Sequence, residues 1–69
     1  MQDIKDCKGR LTCRGDALTG FVESLYKGQS TSTFLSPGET FTIERQGVIT
    51  EVQRTLRNTF QIRSYEKAS

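Results

Sequence analysis

The chain has no histidine and no tryptophan, one proline, one methionine and two cysteines in 69 residues. Each scarcity excludes something. Without His, general acid–base work near neutral pH loses its commonest group. Neither a Ser-His-Asp nor a Cys-His arrangement, nor a Cys₂His₂ zinc site, can be assembled from this chain alone. No apolar run approaches the roughly 18 residues that span a membrane. The opening MQDIKDCKGR lacks the apolar stretch of a secretion signal. Hydrophobic residues make up only 33% of the sequence, which limits a core that is already small at this length. Small scaffolds commonly lean on a disulfide, a metal or a second subunit. The expectation is a single domain over residues 1–69, with 1–8 an N-terminal arm and 65–69 a tail. It is expected to be cytoplasmic and non-catalytic, with no cofactor and no metal.

The two cysteines do not read as a redox or metal pair. Cys7 and Cys13 are separated by five residues, unlike a CxxC motif, and two thiolates cannot complete a tetrahedral zinc site. Cys13 reads as a small buried hydrophobe and Cys7 as part of the arm. Whether they pair is left open.

What the sequence does have is β signal. Thr, Val, Ile, Phe and Tyr recur in short runs broken by Gly, Pro and Asn. Six strands are expected, at Arg10–Arg14, Phe21–Lys27, Thr31–Leu35, Thr40–Arg45, Val48–Arg54 and Thr59–Ser64. Separators this short join antiparallel neighbours. The expected fold class is therefore all-β, a small antiparallel meander of five or six strands forming a partial barrel or a sheet completed by self-association. A helix over Val48–Asn58, with Val48, Val52 and Leu56 in line, is the alternative.

Turn chemistry suggests the register. A two-residue Gln46–Gly47 loop places Arg45 opposite Val48, Ile43 opposite Thr50 and Phe41 opposite Val52. A Pro37–Gly38 turn brings Phe34 opposite Phe41. A three-residue Thr55–Arg57 loop sets Phe60 opposite Val52 and Ile62 opposite Thr50. The expected core is Leu11, Leu25, Phe34, Phe41, Ile43, Val52, Phe60 and Ile62. The reverse face, with Thr40, Thr42, Glu44, Glu51, Gln53, Gln61 and Arg63, is polar except for Ile49. Strand Phe21–Lys27 is apolar on both faces, so Val22 and Tyr26 need a cover and become candidate contact residues.

One stretch is biased in charge. From Val52 to Tyr65 there are three Arg and no Asp or Glu, in a chain of net charge +2. Arg54 and Arg57 are expected at one hairpin tip, with Arg63 along the last strand. Guanidinium forks suit phosphate or carboxylate, so the three are candidate binding residues for nucleic acid or an acidic protein. The bland alternative is a solvated turn and edge, because so small a net charge gives little non-specific affinity. Lys27-Gly28-Gln29-Ser30 lacks the order of a phosphate-binding loop.

Gly9-Arg10-Leu11-Thr12-Cys13, Thr19-Gly20-Phe21-Val22-Glu23 and Leu35-Ser36-Pro37-Gly38-Glu39-Thr40-Phe41-Thr42-Ile43-Glu44-Arg45 together resemble small proteins carried on conjugative elements and prophages of Gram-positive bacteria. That resemblance implies an accessory or regulatory role in a mobile element and brings no catalytic residue. Lys27-Gly28, Thr33-Phe34 and Gly38-Glu39 also resemble the order of turns in the tryptophan-regulated RNA-binding attenuation protein family. That family's Lys-x-Arg contact pair would fall near Gln53-Arg54 or Arg57 and is not kept. The expected function is a self-associating protein-interaction module with a host or phage protein as a possible partner. The alternative is nucleic-acid binding through Arg54, Arg57 and Arg63.

Overall fold

Period-two alternation and tight turns shape the whole chain. The computed structural model describes residues 1–26 and 28–68, and the side chains of Leu25 and Tyr26 fall outside that description. Among the described residues seven strands are present: β1 (Gln2–Lys5), β2 (Leu11–Asp16), β3 (Phe21–Tyr26), β4 (Gln29–Phe34), β5 (Thr40–Arg45), β6 (Val48–Arg54) and β7 (Phe60–Glu66). They form two antiparallel sheets, ordered β1-β2-β3-β4 and β5-β6-β7. The expected all-β class holds. The single meander does not, because the chain changes sheets after β4 and no barrel closes. Val48–Asn58 holds strand β6 and a loop, not a helix. Among the described residues no helix is long and apolar enough to cross a membrane.

The expected β5–β6 register is observed, with Arg45 opposite Val48, Ile43 opposite Thr50 and Phe41 opposite Val52. Gln46 and Gly47 both take positive φ, 52° and 79°. That is the backbone of a two-residue hairpin turn matched to strand twist. The next hairpin is two residues out of its expected register: Ile62 faces Val52, and Phe60 faces Arg54. The cause is a loop longer than the three residues expected. Thr55 N–H donates to the Thr59 carbonyl at 2.8 Å, the two threonine hydroxyls meet at 2.7 Å, and Asn58 takes φ 57°. Asn tolerates that left-handed conformation better than most residues. A two-residue slip preserves the face of each side chain.

The Pro37–Gly38 turn also forms, with Gly38 at φ 94° and Glu39 N–H donating to the Ser36 carbonyl at 2.9 Å. It does not pair Phe34 with Phe41. Leu35 N–H binds the Gly20 carbonyl at 2.8 Å in one sheet, and Gly38 N–H binds the Arg54 carbonyl at 2.6 Å in the other. The turn is thus a bridge between layers. Leu35 faces the core, and Phe34 points outward opposite Phe21.

The core lies between the layers. Ile4, Cys13, Val22 and Leu35 pack from one sheet and its exit against Ile43 and Val52 of the other, with Phe41 and Phe60 partly buried around them. Four expected core positions need correction or fall outside view. Phe34 is 68% exposed, Leu11 42% and Ile62 37%, and the side chain of Leu25 lies outside the described residues. Leu11 turns away because the β1–β2 register shifts between Ile4 and Lys5, leaving Thr12 as the extra residue of a bulge. The Thr12 hydroxyl donates to the Ile4 carbonyl at 2.9 Å there. Ile62 lies on an edge strand with one side open. Within the expected arm Gln2–Lys5 form a strand, and within the expected tail Tyr65 and Glu66 belong to β7. β1 buries Ile4 at 1% exposure, and Lys67 N–H extends β7 by donating to the Gly47 carbonyl at 2.7 Å.

Gly15 makes the layer contact possible. A Cβ added there would stand 2.7 Å from the Phe21 carbonyl oxygen and 2.7 Å from Phe60 Cε2. Gly15→Ala must therefore move backbone as well as an aromatic ring, a cost of roughly 1–3 kcal/mol. Thermal unfolding of that variant should show a clear loss; a midpoint equal to the parent's would remove Phe60 from its place over Gly15.

The β1–β2 connection is organised by Asp6. Its carboxylate accepts from Lys8 N–H at 2.9 Å, Arg10 N–H at 3.0 Å and the Arg10 guanidinium at 3.0 Å. Burial pushes this carboxyl up, but the hydrogen bonds from Arg10 and Lys8 outweigh it and hold its pKa below the ordinary 3.8. A depressed carboxyl pKa adds stability above the unfolded-state value and loses it as pH falls through the folded one. Stability should therefore fall below about pH 4, and Asp6→Asn should flatten that part of the profile. An unchanged acid limb in Asp6→Asn would show that other carboxyls carry it.

Candidate interaction surface

The three arginines singled out by charge do not converge. Arg54 ends β6 on the core-facing side, opposite Phe60. Its Nε donates to the Ala17 carbonyl at 3.1 Å and its Nη1 to the Leu35 carbonyl at 2.9 Å. Its Nη2 donates to the Leu18 carbonyl and to Asn58 Oδ1, both at 2.9 Å. Rather than projecting from the hairpin tip, the guanidinium ties together the β2–β3 turn, the exit of β4 and the β6–β7 loop. Arg63 lies on the outer face, opposite Glu51. Its Nε is 3.9 Å from a Glu51 carboxylate oxygen, and its guanidinium sits 5.4 Å from the Tyr65 ring centroid. The Tyr65 hydroxyl donates to Glu51 at 2.9 Å. That bond pushes the phenol pKa up. Arg57 is exposed in the loop, with no side-chain partner among the described residues.

The other two candidates fare differently. Val22 is fully buried; the opposite sheet supplies the cover that its two-sided apolar strand called for. Tyr26 lies outside the residues whose side chains are described. Cys13 is buried and Cys7 exposed, and both are free thiols. Burial pushes the Cys13 thiol pKa up, so its thiolate is disfavoured. Among the described residues no group of three or more potential metal ligands comes together.

A depression of about 440 Å³ lies between Lys8, Arg10, Gln46, Glu66 and Lys67. Its charges are already matched: Lys8 pairs with Glu66, Arg10 with Asp6 and Lys67 with Glu44. Arg10 also reaches Gln46. Nothing there marks a cavity built around a substrate.

The surface that sequence reading missed is the edge formed by β4. Gln-Ser-Thr-Ser-Thr-Phe carries no charge and no proline, and among the described residues its outer side meets no other strand. Antiparallel pairing alternates residues bonded to the neighbour with residues whose N–H and C=O point away. Leu35 N–H bonds inward to Gly20, and Phe34 stands opposite Phe21, Ser32 opposite Glu23 and Ser30 opposite Leu25. The outward set is therefore Ser30, Ser32 and Phe34. Phe34 meets Phe21 at 5.2 Å between ring centroids, yet stays mostly in solvent. A signal was available: Gln29-Ser30-Thr31-Ser32-Thr33 is a polar, uncharged run with no apolar residue on either face.

Comparison with protein families, curated proteins and solved structures finds no match to this chain.

Proposed function

We propose that this chain is a non-catalytic interaction module that works by strand addition at the open edge of β4, in an accessory or regulatory role in the mobile-element setting its sequence resembles. The observation that supports the reading most is the unprotected edge itself. Natural sheets blunt their edges with charge, proline, bulges or a covering segment, because an open ladder recruits another strand. β4 has none of the first two and no strand over it. Phe34 adds an exposed aromatic beside the ladder, the residue type enriched where partners dock. Strand addition draws affinity from main-chain hydrogen bonds and specificity from alternate side chains.

Nucleic-acid binding has less support, since Arg54 is bound to backbone carbonyls and Arg63 stands beside the Glu51 carboxylate. Phosphate affinity scales with the contacts made, and Arg57 alone offers few.

A synthetic peptide of sequence Gln-Ser-Thr-Ser-Thr-Phe-Leu, uncharged and strand-forming, serves as the probe. On titration, the amide resonances of Ser30, Ser32 and Phe34 should move most, and Ser32→Pro should abolish the response. Shifts centred on the outer face of β5–β7, or no response at all, would exclude the β4 edge.

A further inference from the structure

We infer that the occupant of the β4 edge is a second copy of this chain, paired antiparallel about Ser32 to give a continuous eight-stranded sheet; this rests on the strand-addition reading. Charge is the first reason. Of the four edge strands, β1 carries Asp3 and Lys5, β5 carries Glu44 and Arg45, and β7 carries Arg63 and Glu66. β4 alone is uncharged, so two copies meet there without like charges set opposite each other.

Register is the second reason, and it is self-complementary. A twofold axis through Ser32 sets Ser32 against Ser32 of the copy, and Ser30 against Phe34 of the copy. All the residues that point outward then meet outward-pointing residues, so every free N–H and C=O of Ser30, Ser32 and Phe34 acquires a partner. A shift of two residues strands Ser30 or Phe34. A shift of one sets outward groups against residues already bonded to β3, and turns one copy's core face to solvent. In the favoured register Thr31 lies opposite Thr33 of the copy as a non-hydrogen-bonded pair, a pairing that stabilises antiparallel strands.

The contact is short, one strand edge with a flanking Phe. It falls below the surface that permanent assemblies bury, so the dimer is concentration-dependent.

The test uses the full chain with Cys7→Ser, which removes the exposed thiol and leaves the buried Cys13. Two variants, Thr31→Cys and Thr33→Cys, are prepared separately, one carrying a mass tag. A non-hydrogen-bonded pair places its Cα atoms about 4.5 Å apart, within the roughly 4.4–6.8 Å that a disulfide spans. Mild oxidation of the mixture should give the mixed dimer, and each variant alone should give little. Sedimentation of the parent up to about 1 mM, a concentration that detects even weak association, should show dimer, lost in Ser32→Pro. Bridging in Thr31→Cys alone, or none in the mixture, overturns the register. Self-association that survives Ser32→Pro assigns it to another surface and overturns the inference. A parent that stays monomeric while the β4 peptide still binds gives the edge to another protein, which overturns the inference and leaves the strand-addition reading standing.

Discussion

Gly20→Ala should destabilise the protein by roughly 2–5 kcal/mol, combining left-handed strain of about 1–2 kcal/mol with overpacking of about 1–3 kcal/mol. Gly20 has φ 85°, and a Cβ there would stand 2.1 Å from the Leu35 carbonyl oxygen and 2.9 Å from Arg54 Nη1. Neither neighbour can yield cheaply. The Leu35 carbonyl is backbone held at the sheet crossing, and the Arg54 guanidinium is fixed by its other acceptors. Domains hold only about 5–15 kcal/mol in total, with small ones toward the low end. At about 4–8 °C per kcal/mol for a domain of this size, the melting midpoint should drop by about 8 °C or more. Urea unfolding followed by circular dichroism reads the loss. A change under about 1 kcal/mol would show that Gly20 is not confined as described.

Arg54→Ala should act at the same corner. It removes a guanidinium that donates to three backbone carbonyls and one side-chain amide. Hydrogen bonds to charged groups contribute about 1.5–3 kcal/mol each at best. Partial exposure and adjustment of neighbouring groups reduce the sum, so a loss of roughly 2–4 kcal/mol is expected. Arg54→Lys should recover only part of it, since an ammonium is a compact point donor without the planar fork that reaches several carbonyls at once. The result separates the two roles open to this residue. A structural clamp loses stability, whereas a surface contact would leave unfolding unchanged. Because Gly20 and Arg54 share Leu35 as neighbour, the double variant should lose less than the sum of the singles.

Both effects fall where the two layers join, and sequence reading saw little of that join. Pro37–Gly38 was legible as a turn because proline and glycine preset its dihedrals. Whether a turn continues a sheet or crosses to another depends on hydrogen bonds from distant residues, here Gly20 and Arg54. The parity of one residue followed from that choice, and it exchanged Phe34 for Leu35 in the core. The charge bias between Val52 and Tyr65 was equally legible, but charge counts carry no information about which carbonyls come within reach. Arg54 reads as surface in one dimension and serves as a clamp in three. The N-terminal residues read as an arm because Gln2–Lys5 holds a single apolar residue, Ile4. One buried side chain and a ladder to β2 were enough to make it a strand.

The sequence alone determined the all-β class, the positions of most strands and the β5–β6 register, because these follow from side-chain alternation and the dihedral preferences of a few turn residues. Only the tertiary structure decided that there are two layers, that Val22 is core, that Arg54 is bound internally and that β4 is left open. Those outcomes depend on contacts between residues far apart in the chain, whose pairing has no local signature.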